Sequence, residues 1–192
     1  MTANLLTLNS SNPEFLLIGL SKQLAKINKS SLTTTHSARN IGFIFDKPFT
    51  FSDQISSVSK SCYYHIHQLR CIRPYLDTKT ASTIATSIVH SKLDYWNSFY
   101  HNLPKFQITW LQQMENSLAR AVVKASNPSL RSLHWLKINE RIEFKLLSLT
   151  YKVLTTTQRL YLYNLITVQP PRSTRSSSLV TLARPSTLFF YE

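Results

Sequence analysis

The chain has few glycines, few cysteines and few acids, and each shortage excludes a class of site. Only two of its 192 residues are glycine, Gly19 and Gly42. A loop that wraps phosphate groups needs several glycines, because backbone N–H groups must approach the ligand closely. The sequence therefore excludes Walker-type and dinucleotide-binding sites.

Cysteines and long apolar runs are equally scarce. Cys62 and Cys71 are too few for a disulfide framework. No apolar run reaches the roughly 18 residues that a membrane-spanning helix needs, and the N-terminus lacks the early positive charge of a secretory signal. We therefore expect an intracellular protein, nuclear or cytoplasmic, that is neither secreted nor embedded in a membrane.

Acidic residues number 9 against 22 lysines and arginines, so the net charge is +13 at pH 7. Such an excess favours a polyanionic partner, either nucleic acid or an anionic membrane surface. The acids present, among them Asp46, Asp53, Asp77 and Asp94, fall at predicted element ends, where they serve as caps or ion-pair partners. The sequence shows no carboxylate cluster for two-metal chemistry and no nucleophile relay.

Hydrophobic periodicity predicts a mainly α fold. Apolar runs at 14–20 and 41–46 predict two buried strands. From about residue 51, apolar residues recur every three or four positions, which predicts a series of helices. The predicted helices run from about 52 to 73, from Asp77 to about Tyr100, from Pro104 to about 126, from 138 to 154 and, as a short helix, from 161 to 166. Ser52 is the predicted cap of the first helix, and Pro74 its stop. The predicted domains are strands at 1–50, a helical bundle at 51–168 and a Ser/Pro/Arg-rich tail at 169–192.

Two clusters have the composition of a site. In a helix, Cys62 and His65 would point nearly opposite to His67 and Cys71, so we interpret the first cluster as no metal site. The second cluster occurs in the stretch SKLDYWNSFYHNLP and its preceding residue. His90, Asp94, Asn97 and His101 recur at spacings of four, three and four, which puts them along one side of a helix. This pattern fits either a metal or acid/base site, or a packing seam with polar edges.

Basic residues follow one face of the helix predicted at 138–154. Within about 80° of one another on a helical wheel lie Lys137, Arg141, Lys145 and Lys152. Arg120 and Lys124 are further basic residues on the preceding predicted helix. A basic stripe beside an apolar stripe can lie along a nucleic-acid backbone, so these six residues are the predicted nucleic-acid contacts. An ordinary solvated face is the alternative.

Several long stretches resemble the C-terminal part of the reverse transcriptase of non-LTR retrotransposons, in particular long interspersed elements of the jockey and chicken-repeat kind. They are PEFLLIGLSKQLAKI, SARNIGFIFDKPFTFSDQISSVSKSC, IRPYLDTKTASTIATSIVHSKLDYWNSFYHNLP, SLHWLKINERIEFKLLSLTYKVL and LITVQPPRSTRSSSLV. The resemblance implies the end of a polymerase palm, a primer-gripping hairpin at NIGFIFD and a helical thumb after Phe51. It also implies RNA, DNA or an RNA–DNA hybrid as partner, and Asp94 as a structural acid near a helix end.

The sequence departs from the family pattern at positions that the family enzyme needs for catalysis. The sequence contains no Tyr-Ala-Asp-Asp motif, and Asn12, Pro13 and Glu14 stand where the family carries Lys-Thr-Glu. We therefore expect a truncated copy with no catalytic residues and no cofactor, whereas the full-length family enzyme needs Mg²⁺. The alternatives are a domesticated helical module that binds another protein and a non-functional remnant.

Overall fold

A computed structural model describes residues 16–17, 34–125, 130–156, 166, 168–170 and 181–183. Its strands and α-helices are, in chain order, β1 (Ser37–Asn40), β2 (Phe43–Asp46), α1 (Ser52–Ile72), α2 (Thr78–Ala85), α3 (Ser91–Asp94), α4 (Lys105–Val123) and α5 (Ile138–Thr156). The predicted mainly helical fold with a small β-hairpin is confirmed. The chain forms two compact units, Met1–Arg141 and Ile142–Glu192. The predicted division at residues 50 and 168 stays a prediction.

The hairpin in the first unit joins β1 and β2 in antiparallel register, with Asn40 opposite Phe43. Its two-residue turn has positive φ at both positions, 47° at Ile41 and 77° at Gly42, as a type I′ turn requires. Glycine adopts this conformation freely, whereas β-branched isoleucine is strained there. The apolar run at 41–46 correctly indicates β2, whereas periodicity does not indicate its partner β1; a hairpin here was suggested by the resemblance at NIGFIFD. The strand predicted at 14–20 lies outside the described residues except for Leu16 and Leu17.

Helix α1 begins differently from the prediction. Ser52 makes no capping bond; the residue before it, Phe51, has left-handed backbone. The Asp46 carboxylate at the end of β2 accepts from the backbone N–H of Thr50 at 2.9 Å and from that of Phe51 at 2.8 Å. The predicted Ser52 cap is therefore wrong, because an acid brought in by the hairpin holds the chain just before the helix starts.

The predicted signals between α1 and α2 are confirmed. Helix α1 ends at Ile72, and Pro74 lies in a 3₁₀ turn over Arg73–Tyr75. The Asp77 carboxylate accepts from the backbone N–H of Lys79 at 3.0 Å and from that of Thr80 at 3.2 Å, which is an N-cap.

The second predicted helix ends six residues early. Helical backbone runs from α2 through a π-helical segment, Thr86–His90, into α3, which ends at Asp94. Tyr95 is then extended and Trp96 has a φ of 60°, so the helix cannot continue to Tyr100. Such π-helical segments are rare and frequently mark functional sites.

Helices α1 and α4 form the centre of the first unit. The buried apolar residues include Ile55, Cys62, Ile66 and Leu69 on α1 and Leu111, Leu118, Ala121 and Val122 on α4. These eight positions belong to the predicted apolar stripes, which are confirmed there. The α4 face also buries Gln107 and Glu115, which the periodicity does not indicate.

The second unit begins within α5. Ile142 and Val153 are buried, whereas Phe144, Leu147 and Tyr151 are exposed. Val168 and Leu182 form an antiparallel bridge. The predicted helix at 161–166 lies outside the described residues except for Ile166. Among the helices that the structure describes, none is long and apolar enough to cross a membrane.

Candidate functional site

A basic groove lies where the C-terminal ends of α1 and α4 meet. It encloses about 280 Å³ and is lined by Arg70, Arg73, Pro74, Arg120, Ala121 and Lys124. Of the predicted nucleic-acid contacts, the structure thus brings Arg120 and Lys124 together. Periodicity missed Arg70 and Arg73, although the spacing Arg70-x-x-Arg73 ahead of Pro74 places both at a helix end.

Arg73 is the structural member of this groove. Its buried guanidinium donates from Nε to the Val122 carbonyl at 2.8 Å, from Nη1 to the Leu76 carbonyl at 2.5 Å and from Nη2 to Thr78 Oγ1 at 3.1 Å. These bonds join the end of α4 to the turn before α2. Arg73 thus satisfies one of the backbone carbonyls that the end of α4 leaves without an intrahelical partner.

The other three cations of the groove remain available to a ligand. Arg70, Arg120 and Lys124 are all exposed. Arg120 donates from Nη2 to Ser117 Oγ at 2.8 Å, which leaves its other donors open to solvent. Within the described part of the chain, the lining of the groove contains no acid. The three cations therefore produce a local positive field.

The predicted stripe on α5 divides into two kinds of residue. Lys137, Lys145 and Lys152 are exposed, as a phosphate contact requires. Arg141 is only partly exposed, and its guanidinium binds Asp94: Nε donates to Oδ1 at 2.8 Å and Nη2 donates to Oδ2. Arg141 therefore belongs to an ion pair rather than to an open basic surface.

Around Arg141 lies a cluster formed by His90, Asp94, Glu115 and Arg141, here named the buried cluster after His90 and Glu115; its Asp94 side chain is 42% exposed. Arg141 Nη1 lies 3.3 Å from His90 Nδ1 and 3.9 Å from Glu115 Oε1. His90 Nε2 lies 3.8 Å from the same Glu115 oxygen. The Trp135 ring covers His90, with ring centroids 4.4 Å apart.

The stretch SKLDYWNSFYHNLP supplies part of the buried cluster. Asn97 Nδ2 donates to Asp94 Oδ1 at 3.3 Å, and Asp94 ends α3 as a hydrogen-bonding acid. His101 is exposed and takes no part. Of the two readings of this stretch, the structure places it in a packing seam with polar edges.

Glu115 is the member that the sequence analysis missed. Its side chain is fully buried, and Oε2 accepts from Gln112 Nε2 at 2.9 Å. Gln112 Oε1 in turn accepts from the backbone N–H of Ile138 at 3.0 Å, which ties the start of α5 to α4. The available signal was an acid in the apolar series Leu111, Glu115, Leu118, one helical turn apart.

The geometry also fixes the His90 tautomer. A guanidinium has donors and no acceptor, so the Nδ1 atom facing Arg141 Nη1 must be the acceptor of a neutral imidazole. The imidazole proton then lies on Nε2, which points toward Glu115. His90 cannot take up a second proton without losing the Arg141 contact.

The pKa values of the two groups are displaced in opposite directions. Burial raises the pKa of Glu115 to about 7, against the opposing effects of Arg141 and the Gln112 hydrogen bond. Burial and the Arg141 charge lower the pKa of His90 to about 4. In weakly acidic solution, both groups are therefore neutral in the folded protein.

The buried cluster is arranged for stability rather than for catalysis. Glu115 is fully buried, so a substrate cannot reach its carboxyl group. Asp94 and Glu115 surround a guanidinium and leave no open cation position between them, so they do not fit the Mg²⁺ of the polymerase family. Among the residues that the structure describes, no group of three or more histidines, cysteines or acids is placed to hold a metal ion.

The Cys/His set on α1 has two kinds of member. Cys62 is buried in the core, and burial raises the pKa of its thiol to about 11. Cys71 is exposed, and its Sγ lies 4.0 Å from His67 Nδ1. Cys62 is therefore a core residue.

Comparisons with protein-family models, with curated proteins and with solved structures found no match.

Proposed function

We propose that this chain binds nucleic acid without regard to base sequence, as a non-catalytic part of a reverse-transcriptase-like protein. The observation that carries the proposal is the basic groove, where Arg70, Arg120 and Lys124 surround about 280 Å³ with no acid in the described lining. The net charge of +13 and the stretches that resemble non-LTR reverse transcriptases support the same partner, RNA or an RNA–DNA hybrid.

Phosphate groups are the part of a nucleic acid that this groove suits. Each phosphate that a lysine or arginine neutralises releases condensed counterions, so affinity falls steeply as salt rises. Exposed side chains reach phosphates without reading base edges, which makes the binding independent of sequence. Lys137, Lys145 and Lys152 stay predicted contacts, whereas Arg141 is left out because Asp94 occupies its guanidinium.

The test is the salt dependence of binding. We expect the full chain to bind a labelled RNA, and an RNA–DNA hybrid, more weakly as salt rises from about 50 to about 200 mM, in fluorescence anisotropy titrations. Replacing all three groove cations (Arg70→Gln, Arg120→Gln, Lys124→Gln) lowers the slope of log affinity against log salt by about 2 to 3.

A control variant removes two cations near the other end of α4, and its slope loss is compared with that of the groove variant per cation removed. Lys47 and Lys105 are exposed, and they lie near the start of that helix, where Gln107 Nε2 donates to the Thr50 carbonyl at 3.1 Å. The variant Lys47→Gln, Lys105→Gln should keep a slope closer to that of the unmodified chain. If the unmodified chain does not bind either nucleic acid at low salt, the proposal is wrong. Equal slope losses per cation removed in both variants would rule out the groove as the site.

Docking to another protein is the second candidate, because two aromatic residues are exposed one turn apart on α4. Phe106 is 68% exposed and Trp110 is 44% exposed. Large exposed apolar side chains in a row favour a protein partner. Binding to neither nucleic acid at low salt, together with a cooperative thermal unfolding transition, would favour this candidate over both nucleic-acid binding and a remnant that does not fold.

A further inference from the structure

Tyr75 is the most exposed large hydrophobic residue that the structure describes, at 87%. It ends the 3₁₀ turn directly after Pro74, and Pro74 lines the basic groove. The backbone around it is held firmly, because the Arg73 side chain donates to the Leu76 carbonyl and the Leu76 N–H donates to the Arg73 carbonyl. A well-held turn thus presents an uncovered aromatic ring next in sequence to Pro74, which lines the groove.

Tyr63 extends the same surface along α1. It precedes Arg70 by seven residues, which is two helical turns, so both lie on one face of α1. His67 lies between them on that face. Tyr63 is 61% exposed, and His67 and Arg70 are exposed as well. One exposed tyrosine therefore shares a helix face with Arg70, and another directly follows Pro74, so exposed aromatic residues adjoin the groove lining on α1 and in the turn that follows it.

Aromatic rings beside cations suit unpaired nucleotides. Every base has a π-face that stacks on a tyrosine ring, and the neighbouring phosphates bind the cations. In a duplex the base faces already stack on each other, so the rings would find no partner there. We propose that Tyr63, Tyr75 and the basic groove together bind single-stranded nucleic acid and prefer it to a duplex. This inference rests on the proposed function, since it names the form of nucleic acid that the same groove takes.

The experiment compares two forms of one sequence, a single-stranded RNA homopolymer and its blunt-ended hybrid with complementary DNA. We expect the full chain to bind the single strand more tightly at equal salt. Tyr75→Ala should weaken single-strand binding by about five- to a hundredfold, the range for loss of one stacked base, and change hybrid binding less than twofold. Tyr63→Ala should act in the same direction.

Two further variants make the result specific. Tyr75→Phe keeps the ring and should bind the single strand as the unmodified chain does. Tyr64→Ala removes a tyrosine that is 60% exposed but one position round α1 from Tyr63, and should have little effect.

If Tyr75→Ala weakens binding of the single strand and of the hybrid equally, or weakens binding of neither, the proposed stacking surface is wrong. That result would not contradict binding in the basic groove. A chain that binds no nucleic acid at low salt overturns both the inference and the proposed function.

Discussion

Arg141 in the buried cluster binds a carboxylate with two nitrogens, whereas Arg120 in the basic groove donates to one hydroxyl among the described residues and faces solvent. The two arginines lie on α5 and α4, and a helical wheel marks both as basic-stripe residues. What separates them is an acid within reach: Asp94 for Arg141, and none in the described lining of the groove for Arg120. Charge alone does not tell a structural cation from one that can bind a ligand.

The largest expected effect on stability comes from a substitution that breaks the buried cluster. Arg141→Met should lower the free energy of unfolding by about 2 to 3 kcal/mol, because it removes the charged hydrogen bonds to Asp94, whose side chain is 42% exposed, and the cation next to Glu115. Arg120→Met should change it by less than about 0.5 kcal/mol, since Arg120 is exposed. Urea unfolding of both variants at one pH measures the difference. Similar losses of unfolding free energy in the two variants would contradict the claim that Arg141 is structural and Arg120 is not.

The next effect concerns how the buried cluster responds to pH. The folded pKa of Glu115, about 7, lies above its ordinary value of 4.5, so its contribution is lost as pH rises from 4.5 to about 7. The folded pKa of His90, about 4, lies below its ordinary value of 6.5, so its contribution is lost as pH falls from 6.5 to about 4. Between pH 4.5 and 6.5 the unfolded chain carries the proton on His90 and the folded chain carries it on Glu115.

Because the proton count is equal in both states, the two contributions cancel across that window. The charged groups that face this pair are Arg141, Asp94 and Glu140. An arginine guanidinium stays protonated across this range. The cluster in the unmodified chain should therefore add almost no pH dependence to stability between pH 4.5 and 6.5.

Removing either Glu115 or His90 should reveal how the remaining group makes the free energy of unfolding depend on pH. Glu115→Gln leaves His90, so this variant should be about 2 to 3 kcal/mol more stable at the upper end of the window than at the lower end. His90→Gln, whose amide can still accept from Arg141, should show the opposite slope of similar size. Urea unfolding at several pH values across the window gives both slopes. Slopes of the same sign would contradict the assigned proton positions.

The sequence predicted α1, the Asp77 cap and the apolar face of α4 because each depends on residues within a few turns. Periodicity did not show strand β1, which only the resemblance to a hairpin at NIGFIFD suggested. The sequence placed Asp46 at an element end as a cap or ion-pair partner, but did not show which backbone groups it binds, because that contact depends on the hairpin folding back. The buried cluster joins His90, Glu115 and Arg141 from three helices, and periodicity cannot show which helices meet. The groove was half predicted, since Arg120 and Lys124 share a helix, whereas Arg70 comes from another.

The smallest expected effect lies in the hairpin turn, away from both charged regions. Ile41 is 71% exposed and has a φ of 47°, which asparagine adopts more readily than a β-branched residue. Ile41→Asn should therefore raise the free energy of unfolding by about 1 kcal/mol. Ile41→Val keeps the strain and is the matched control. A loss of stability in the asparagine variant would mean that the isoleucine side chain contributes packing that outweighs its strain.

The comparison of cluster and groove is tested most directly by the arginine side-chain Nε–H signals of the full chain, recorded by NMR as RNA is added. We expect the Arg141 and Arg73 signals to exchange slowly with water and to stay in place, because Asp94 and the Val122 carbonyl hold these two groups. The Arg70 and Arg120 signals should exchange fast and shift as RNA binds. If the Arg141 signal shifts on addition of RNA while the Arg70 and Arg120 signals do not, the distinction between buried cluster and basic groove is wrong.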